Sequence, residues 1–515
     1  MGDTSDNRRI ARNTLMLYMR MFLLMLVGLY TSRVYIGTLG EVDYGIYNVV
    51  GGLVGMFSII SGTLSAAISR FLTYELGRGD MAKLKAVFCT AVNIQIIFAI
   101  SIIVLAEIFG LWFLDTQMNI PAERLPAARW VFHFSVLSFS ISIISVPYNA
   151  SIVAHEKMSA FAAISILEAV MKLVIAFLIT ISPVDRLVFF SILTMAVSIL
   201  VRIVYGIYCR SHFEECTYSL VLDKPLMKKM FSFAGWNFIG TTSGILRDEG
   251  GNILMNIFFG PAVNAARAIS QQINSAVLNF TGSFMTALNP QITKSYAAGE
   301  TAQMMRLVFN GARFSYYLML ILALPLMLNM DYILSIWLKE VPDHTAAFGI
   351  LALVFAMSET LSNPLITAML ATGNIRNYQI VVGGLQLLNV PVSYVLLKAG
   401  WAPETVLAVA IVLSQICLAA RLVMLRGMIG LDVKAYLKSV YCNVAAVTLV
   451  GALPMILLQK YIPTGFLGLI ASCAASLLLS GLSVFFVGCS RHERKKILSW
   501  TSAFISRLSS KLRTR

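Results

Sequence analysis

Apolar runs of membrane-spanning length recur along the whole chain, at about 15–33, 45–66, 87–114, 131–153, 160–180, 187–208, 232–257, 263–288, 308–330, 346–370, 378–398, 404–424, 438–458 and 464–488, with short polar segments between them. A helix needs roughly 20 such residues to cross about 30 Å of hydrocarbon. The pattern predicts an all-α polytopic membrane protein of about 14 transmembrane helices. The opening MGDTSDNRRIARNT is polar and basic, and the apolar run after it lacks a small-residue cleavage site, so it reads as a retained first helix rather than a removable signal.

Positive charge orients these helices. Segments on the side of the first residue hold 28 Lys and Arg, among them Arg70, Arg78, Lys157, Lys294 and Arg376, whereas the opposite side holds seven: Arg33, Arg124, Arg129, Arg186, Lys339, Lys398 and Lys460. The positive-inside rule places both termini in the cytoplasm, and an even number of spans agrees with their sharing one side.

The pattern also repeats. Laying 36–80 over 256–300 sets Gly40 on Gly260, Gly62 on Gly282, Ala67 on Ala287, Thr73 on Thr293 and Gly79 on Gly299. Laying 146–158 over 363–375 sets Pro147 on Pro364 and Ala154 on Ala371. These offsets predict two parallel six-helix lobes, 1–222 and 223–430, around a central cavity, because an even helix number returns the second copy to the same orientation. Two further helices fill 431–490 as an appendage almost free of ionisable residues, and 491–515 is a basic cytoplasmic tail.

Composition agrees with a membrane protein: 58% of residues are hydrophobic, 13% are charged and the formal net charge is +15. The basic residues cluster at helix ends without interleaved aromatics, so the expected partners are anionic lipids or an anionic substrate and not nucleic acid. Seven scattered cysteines form no metal-ligand spacing, and no Walker A motif, dinucleotide fingerprint or histidine cluster is present. No enzyme, no cofactor and no metal site is expected. A proton or sodium gradient is one candidate drive, and passive exchange driven by substrate supply and periplasmic polymerisation is the other.

Charged and polar residues inside apolar runs are the candidate chemistry, since an unpaired charge in hydrocarbon is costly and needs a polar partner or a wet cavity. Arg247, Asp248 and Glu249 interrupt the run at 232–257. Two readings are open: a polar transport cavity, or a static ion pair at a membrane boundary. Asp248 and Glu249 could hold Arg247, titrate, or bind a coupling cation. In the next run Asn264, Arg267, Gln271 and Asn274 fall near one helical face, as a cavity wall or as interhelical hydrogen-bond glue. Arg20 lies deep in the first run, and Glu168 and Lys172 are spaced as a helical ion pair, so a structural role suits them as well as gating. Arginine matters because its planar fork matches phosphate oxygens.

The segments LGEVDYGIYNVVGG, FFGPAVNAARAISQQINSAVLNF and NPQITKSYAAGE, with the repeated halves and the helix count, resemble the polysaccharide flippases of the multidrug/oligosaccharidyl-lipid/polysaccharide exporter superfamily. That resemblance implies alternating-access flipping of undecaprenyl-pyrophosphate-linked glycan repeat units, of O-antigen, capsule or exopolysaccharide type, across the bacterial inner membrane beside a polysaccharide polymerase machinery. It implies a cationic cavity that Arg20, Arg247 and Arg267 match in chemical type. Two rivals remain: lipid-linked peptidoglycan-precursor flippases, with the same helix count and a cationic cavity, and cation-coupled multidrug antiporters, which usually have twelve helices and acidic first-lobe coupling residues. Here the first-lobe interior is basic at Arg20 and acidic only at Glu107 and Glu168.

Overall fold

The computed structural model describes residues 2–40, 43, 46, 47, 50, 51, 54, 57–116, 120–219, 223–338, 341–463 and 465–495. Among these every regular element is a helix. The principal ones are α1 (Gly2–Leu39), α2 (Ser58–Arg78), α3 (Met81–Leu105), α4 (Leu125–Ala154), α5 (Met158–Leu178), α6 (Arg186–His212), α7 (Lys224–Phe259), α8 (Pro261–Ala297), α9 (Thr301–Leu328), α10 (Thr345–Thr372), α11 (Arg376–Leu387), α12 (Asn389–Lys398), α13 (Thr405–Ile429), α14 (Cys442–Gln459) and α15 (Phe466–Ser483).

Ten helices among the described residues are long and apolar enough to cross a membrane. The expected run at 45–66 lies partly outside those residues. α7 and α8 are continuous helices but are not among the ten, because the charged triplet and the polar stripe lower their apolar character. Elsewhere the helices overrun the apolar runs, since caps and not hydropathy fix their ends. Asp80 accepts from the Lys83 N–H at the start of α3, and Asp185 accepts from the Leu187 and Val188 N–H groups at the start of α6. The run at 378–398 is broken at Leu388 into α11 and α12.

The chain forms two compact units. Unit 1 comprises Met1–Thr242, Thr286–Met304 and Thr367–Ile380. Within it α4 packs against α2, α3 and α6, and α1 packs along α5. One core is built around Phe132, Val131, Val136, Ile46 and Val50. Unit 2 comprises Ser243–Met285, Met305–Ile366 and Val381–Arg515. The terminal pair α14 and α15 is bonded into unit 2. Asn329 Nδ2 donates to Ser472 Oγ at 2.8 Å, Ser472 Oγ to Gln459 Oε1 at 2.7 Å, and Tyr316 and Thr448 share a 2.9 Å bond. Ser472, Ser476, Ser480 and Ser483 form the buried face of α15, and these small side chains face Gly451 of α14, where an added Cβ would lie 3.4 Å from Ser483 Cβ.

The repeat seen in the sequence has a backbone counterpart. Gly40 and Gly260 end the helices α1 and α7 at φ of +82° and +81°, and Gly79 and Gly299 follow α2 and α8 at +72° and +77°. Only residues without a Cβ enter this region freely, so the matched glycines mark matched helix ends.

Candidate functional site

In unit 2 the triplet of α7 is organised as a fork. Arg247 Nε and Nη2 donate to Asp248 Oδ1 and Oδ2 at 3.0 and 3.1 Å, and the guanidinium lies 4.8 Å from the Phe355 ring centre. Glu249 is exposed and accepts from Asn252 Nδ2 at 3.2 Å, while Asn264 Nδ2 reaches the Asn252 carbonyl at 3.1 Å. Arg267 is only 8% exposed and lies within electrostatic range of Asp248, Arg247 and Glu249. The sequence makes this possible through Gly250 and Gly251. A Cβ on these would come within 2.6 Å of Val390 and 2.9 Å of Val406, so α7 sits close against α12 and α13. Two mid-helix glycines cost helix propensity, on the order of 1 kcal/mol each, in exchange for that approach.

The polar stripe of α8 is split. Arg267 and Asn274 are buried, whereas Gln271 is exposed. The reason is angular: at about 100° per residue Gln271 is displaced some 40° to one side of Arg267 and Asn274 some 20° to the other. The Oδ1 atoms of Asn264 and Asn274 are buried without a hydrogen-bond donor, so α8 carries two unsatisfied acceptors.

In unit 1 a cavity of about 340 Å³ opens among α4, α5 and α6, lined by Ser142, Ser145, Asn149, Glu168, Lys172 and Tyr205. Lys172 Nζ donates to Glu168 Oε1 at 2.7 Å, and Tyr35 donates to the Lys172 carbonyl at 2.7 Å. Arg20 stacks 4.3 Å from the Phe161 ring centre, within electrostatic range of Tyr205 and Glu168, and its Nε is buried without an acceptor. Arg20, Glu168 and Lys172 therefore share unit 1, and Arg247, Asp248, Glu249, Asn264, Arg267 and Asn274 share unit 2. The polar lining from α4 has a readable signal that pattern reasoning passed over: Ser135, Ser138, Ser140, Ser142 and Ser145 recur inside an apolar run.

A second feature of unit 1 escaped sequence reasoning. After α4 the chain turns at Glu156, which adopts φ +58°, and after α10 it turns at Gly373, φ +76°. These two positions coincide under the offset that superposes Pro147 on Pro364. Each corner receives a cation. Lys294 Nζ of α8 donates to Glu156 Oε1 at 2.8 Å, Gln291 Nε2 donates to Oε2, and Asn13 Nδ2 donates to the Glu156 carbonyl at 3.2 Å. Arg70 of α2 donates through Nε to the Leu370 carbonyl at 3.3 Å and through Nη2 to that of Ala371 at 2.9 Å, lying over Gly373 so closely that a Cβ there would meet Nη2 at 2.6 Å. Between the corners α2 and α8 touch at Gly77 and Ala297, which are themselves matched by the repeat.

No family model matches the sequence. The membrane protein EpsK of Bacillus subtilis (strain 168) is 18% identical over 290 residues, so the match spans 56% of this chain and 56% of that relative's own length. Among solved structures, a MATE transporter in the bent conformation superposes with a TM-score of 0.71 at 11% identity, covering 82% of this chain and 96% of that one. An outward-facing multidrug resistance MATE family transporter of the MOP superfamily gives 0.70 at 12% over 82% and 96%. A MOP superfamily transporter from Pyrococcus furiosus, described as having a binding pocket of reverse polarity, gives 0.68 at 12% over 84% and 96%. At such identities the likeness is one of fold: the chain is a multi-pass membrane protein with the architecture of the MATE transporters.

Proposed function

We propose that this protein is an alternating-access exporter and that it flips an anionic, lipid-linked saccharide, an undecaprenyl-pyrophosphate-linked polysaccharide repeat unit, from the cytoplasmic to the outer leaflet. The observation that carries alternating access is the pair of matched corners in unit 1. A transporter must close one end of its path and reopen it, and these corners are two breakable polar contacts at equivalent places of an internal repeat. On the Lys and Arg distribution they belong to the cytoplasmic end. Breaking both would uncover the buried polar residues around Glu156 and admit substrate from the cytoplasm.

The sign of the substrate follows from charge. Arg267 is deeply buried, Arg247 is mostly so, and Arg20 holds an unsatisfied Nε. Such groups favour a ligand that supplies phosphate oxygens, and the glycan hydroxyls suit the orphaned acceptors of Asn264 and Asn274. Only the polar head needs a protein path, because the polyprenyl tail can stay in lipid. A polymerase on the far side would consume the product, and a proton or sodium gradient acting on Glu168, Asp248 or Glu249 would supply direction.

Deletion of the gene followed by analysis of lipid-linked intermediates tests this reading. Accumulation of an inward-facing undecaprenyl-pyrophosphate oligosaccharide is expected. Accumulation of a peptidoglycan precursor would reassign the substrate within the flippases. An intact surface glycan with lost efflux of an organic cation would instead favour a multidrug antiporter, the reading that the Glu168 carboxylate in the cavity of unit 1 would then carry.

A further inference from the structure

The last turns of α6 and the segment after it enclose a cavity of about 410 Å³ in unit 1, lined by Tyr148, Arg202, Gly206, Arg210, Thr217 and Tyr218. Arg202, Gly206 and Arg210 are four apart, so they form one stripe along α6. The Arg202 guanidinium lies 3.9 Å from the Tyr148 ring centre, and its Nη1 is 3.0 Å from where a Cβ on Gly206 would stand. Gly206 thus leaves room for the guanidinium to fold along the helix toward Arg210. Among the described residues neither arginine has a carboxylate or other hydrogen-bond acceptor. Glu215, which is buried, holds one oxygen on His155 Nε2 at 2.6 Å and makes no ion pair with either arginine. Across the groove the strap is fixed: Tyr218 donates to Asn93 Oδ1 at 2.7 Å, and the Ser219 N–H lies 3.4 Å from Cys89 Sγ.

Beside this stripe on the same helix, Ile203 and Ile207 are 50% and 66% exposed. α6 is among the helices long and apolar enough to span a membrane, so these exposed isoleucines offer a surface on which acyl chains can lie. Two unpaired guanidiniums, two tyrosines and a threonine hydroxyl therefore border an apolar track within about three turns of the C-terminal end of α6. That is the chemistry of a lipid phosphate: the head group takes the forked donors while its chains lie along Ile203 and Ile207. Arg202 stacked on Tyr148 is already held in place, which reduces the ordering cost of binding.

We propose that this groove is a binding site for the phosphate head group of an anionic membrane lipid. The site is independent of the transported substrate. Its residues belong to α4, α6 and the following strap and include none of the arginines assigned to substrate.

The test uses the purified full chain in phosphatidylcholine nanodiscs doped with phosphatidylglycerol, with lipid retention read by native mass spectrometry and thermal stability read in parallel. Wild type is expected to retain phosphatidylglycerol selectively and to gain thermal stability from it. R202Q and R210Q should each weaken retention roughly tenfold, as for loss of charge-assisted hydrogen bonds. Gly206→Val, which keeps both charges but fills the space under Arg202, should weaken it too, and R426Q should not. Retention unchanged in R202Q/R210Q would overturn the proposal. So would equal stabilisation by inorganic phosphate in discs without anionic lipid, which would make the groove a site for a soluble anion.

Discussion

Replacing Glu156 by alanine tests the first corner directly. The side chain is 2% exposed, and Lys294 is 25% exposed. At 2.8 Å and an effective dielectric constant of about 20, the attraction between the two charges is about 6 kcal/mol. Loss of one member of a buried pair costs about 3–5 kcal/mol, most of it the penalty on the partner left behind. Lys294 keeps contact with solvent and recovers part of that penalty, so the latched state should lose about 2–3 kcal/mol in Glu156→Ala. If latching is one side of a two-state equilibrium, that is a shift of roughly 30- to 150-fold toward the open state.

The backbone adds an internal control for this variant. Alanine at φ +58° keeps a left-handed strain of about 1–2 kcal/mol that glycine removes. Glu156→Gly should therefore be less damaging than Glu156→Ala by about 1 kcal/mol, although both delete the same contacts. The assay is alkylation of a single cysteine at Thr293, a buried position on α8 next to Lys294, in a background without native cysteines. Labelling should accelerate in the order wild type, Glu156→Gly, Glu156→Ala, and Lys294→Ala should add little to Glu156→Ala. Unchanged labelling in Glu156→Ala, or fully additive effects of the two truncations, would refute a latch built on this pair.

At the second corner, Gly373→Ala forces a Cβ to within 2.6 Å of Arg70 Nη2 at a positive φ, and Arg70→Ala frees two helix-end carbonyls. Each should destabilise the closed end by about 2 kcal/mol and speed labelling at Thr293. Arg247→Ala and Arg267→Ala should each lower flipping of the lipid-linked glycan at least tenfold at normal expression, measured by accumulation of the inward-facing intermediate; undiminished flipping in both would remove them from the substrate site. At the start of α6, partial burial pushes the Asp185 carboxyl up, but the hydrogen bond from Arg124 and the Val188 and Leu187 N–H groups outweigh it and hold the carboxyl below the usual carboxylate range. Its folded-state pKa is thus depressed, so its stabilisation is present above about pH 4 and lost as pH falls further. Asp185→Asn keeps the cap and loses the charge, so wild type should exceed it in thermal stability by under about 1 kcal/mol at pH 6, with the gap closing below about pH 4.

The helical architecture was legible because apolar runs of spanning length have one structural solution in lipid, with every backbone group bonded within the helix. The charged candidates were legible for the converse reason, since Arg20, Arg247 and Arg267 break that rule. Their partners were harder to read. Asp248 grips Arg247 although adjacent helical residues do not normally face one another, and Gln271 lies exposed because a spacing of four only approximates a full turn. The serines that line the cavity of unit 1 look in sequence like ordinary helix residues bonding their own backbone. Ser142 and Ser145 do so, donating to the Ser138 and Ile141 carbonyls.

The corners were concealed for a different reason, and it bears on mechanism. The repeat located both turns, because Ala154 matches Ala371, but a repeat is read from identities and the decisive positions are where the copies diverge. Glu156 stands where the second copy has Gly373, and a non-glycine residue held at positive φ is retained only where its side chain compensates for the strain. Here the compensation is the bond to Lys294. In the second copy the corner offers carbonyl oxygens instead, and Arg70 supplies the charge from the other partner. The two latches share a geometry but not a chemistry: the first pairs a carboxylate with an ammonium, and the second pairs two neutral carbonyl oxygens with a guanidinium. Whichever carboxylate senses a gradient, opening this end requires both contacts to break, the carboxylate–ammonium pair at Glu156 and the carbonyl–guanidinium pair at Arg70.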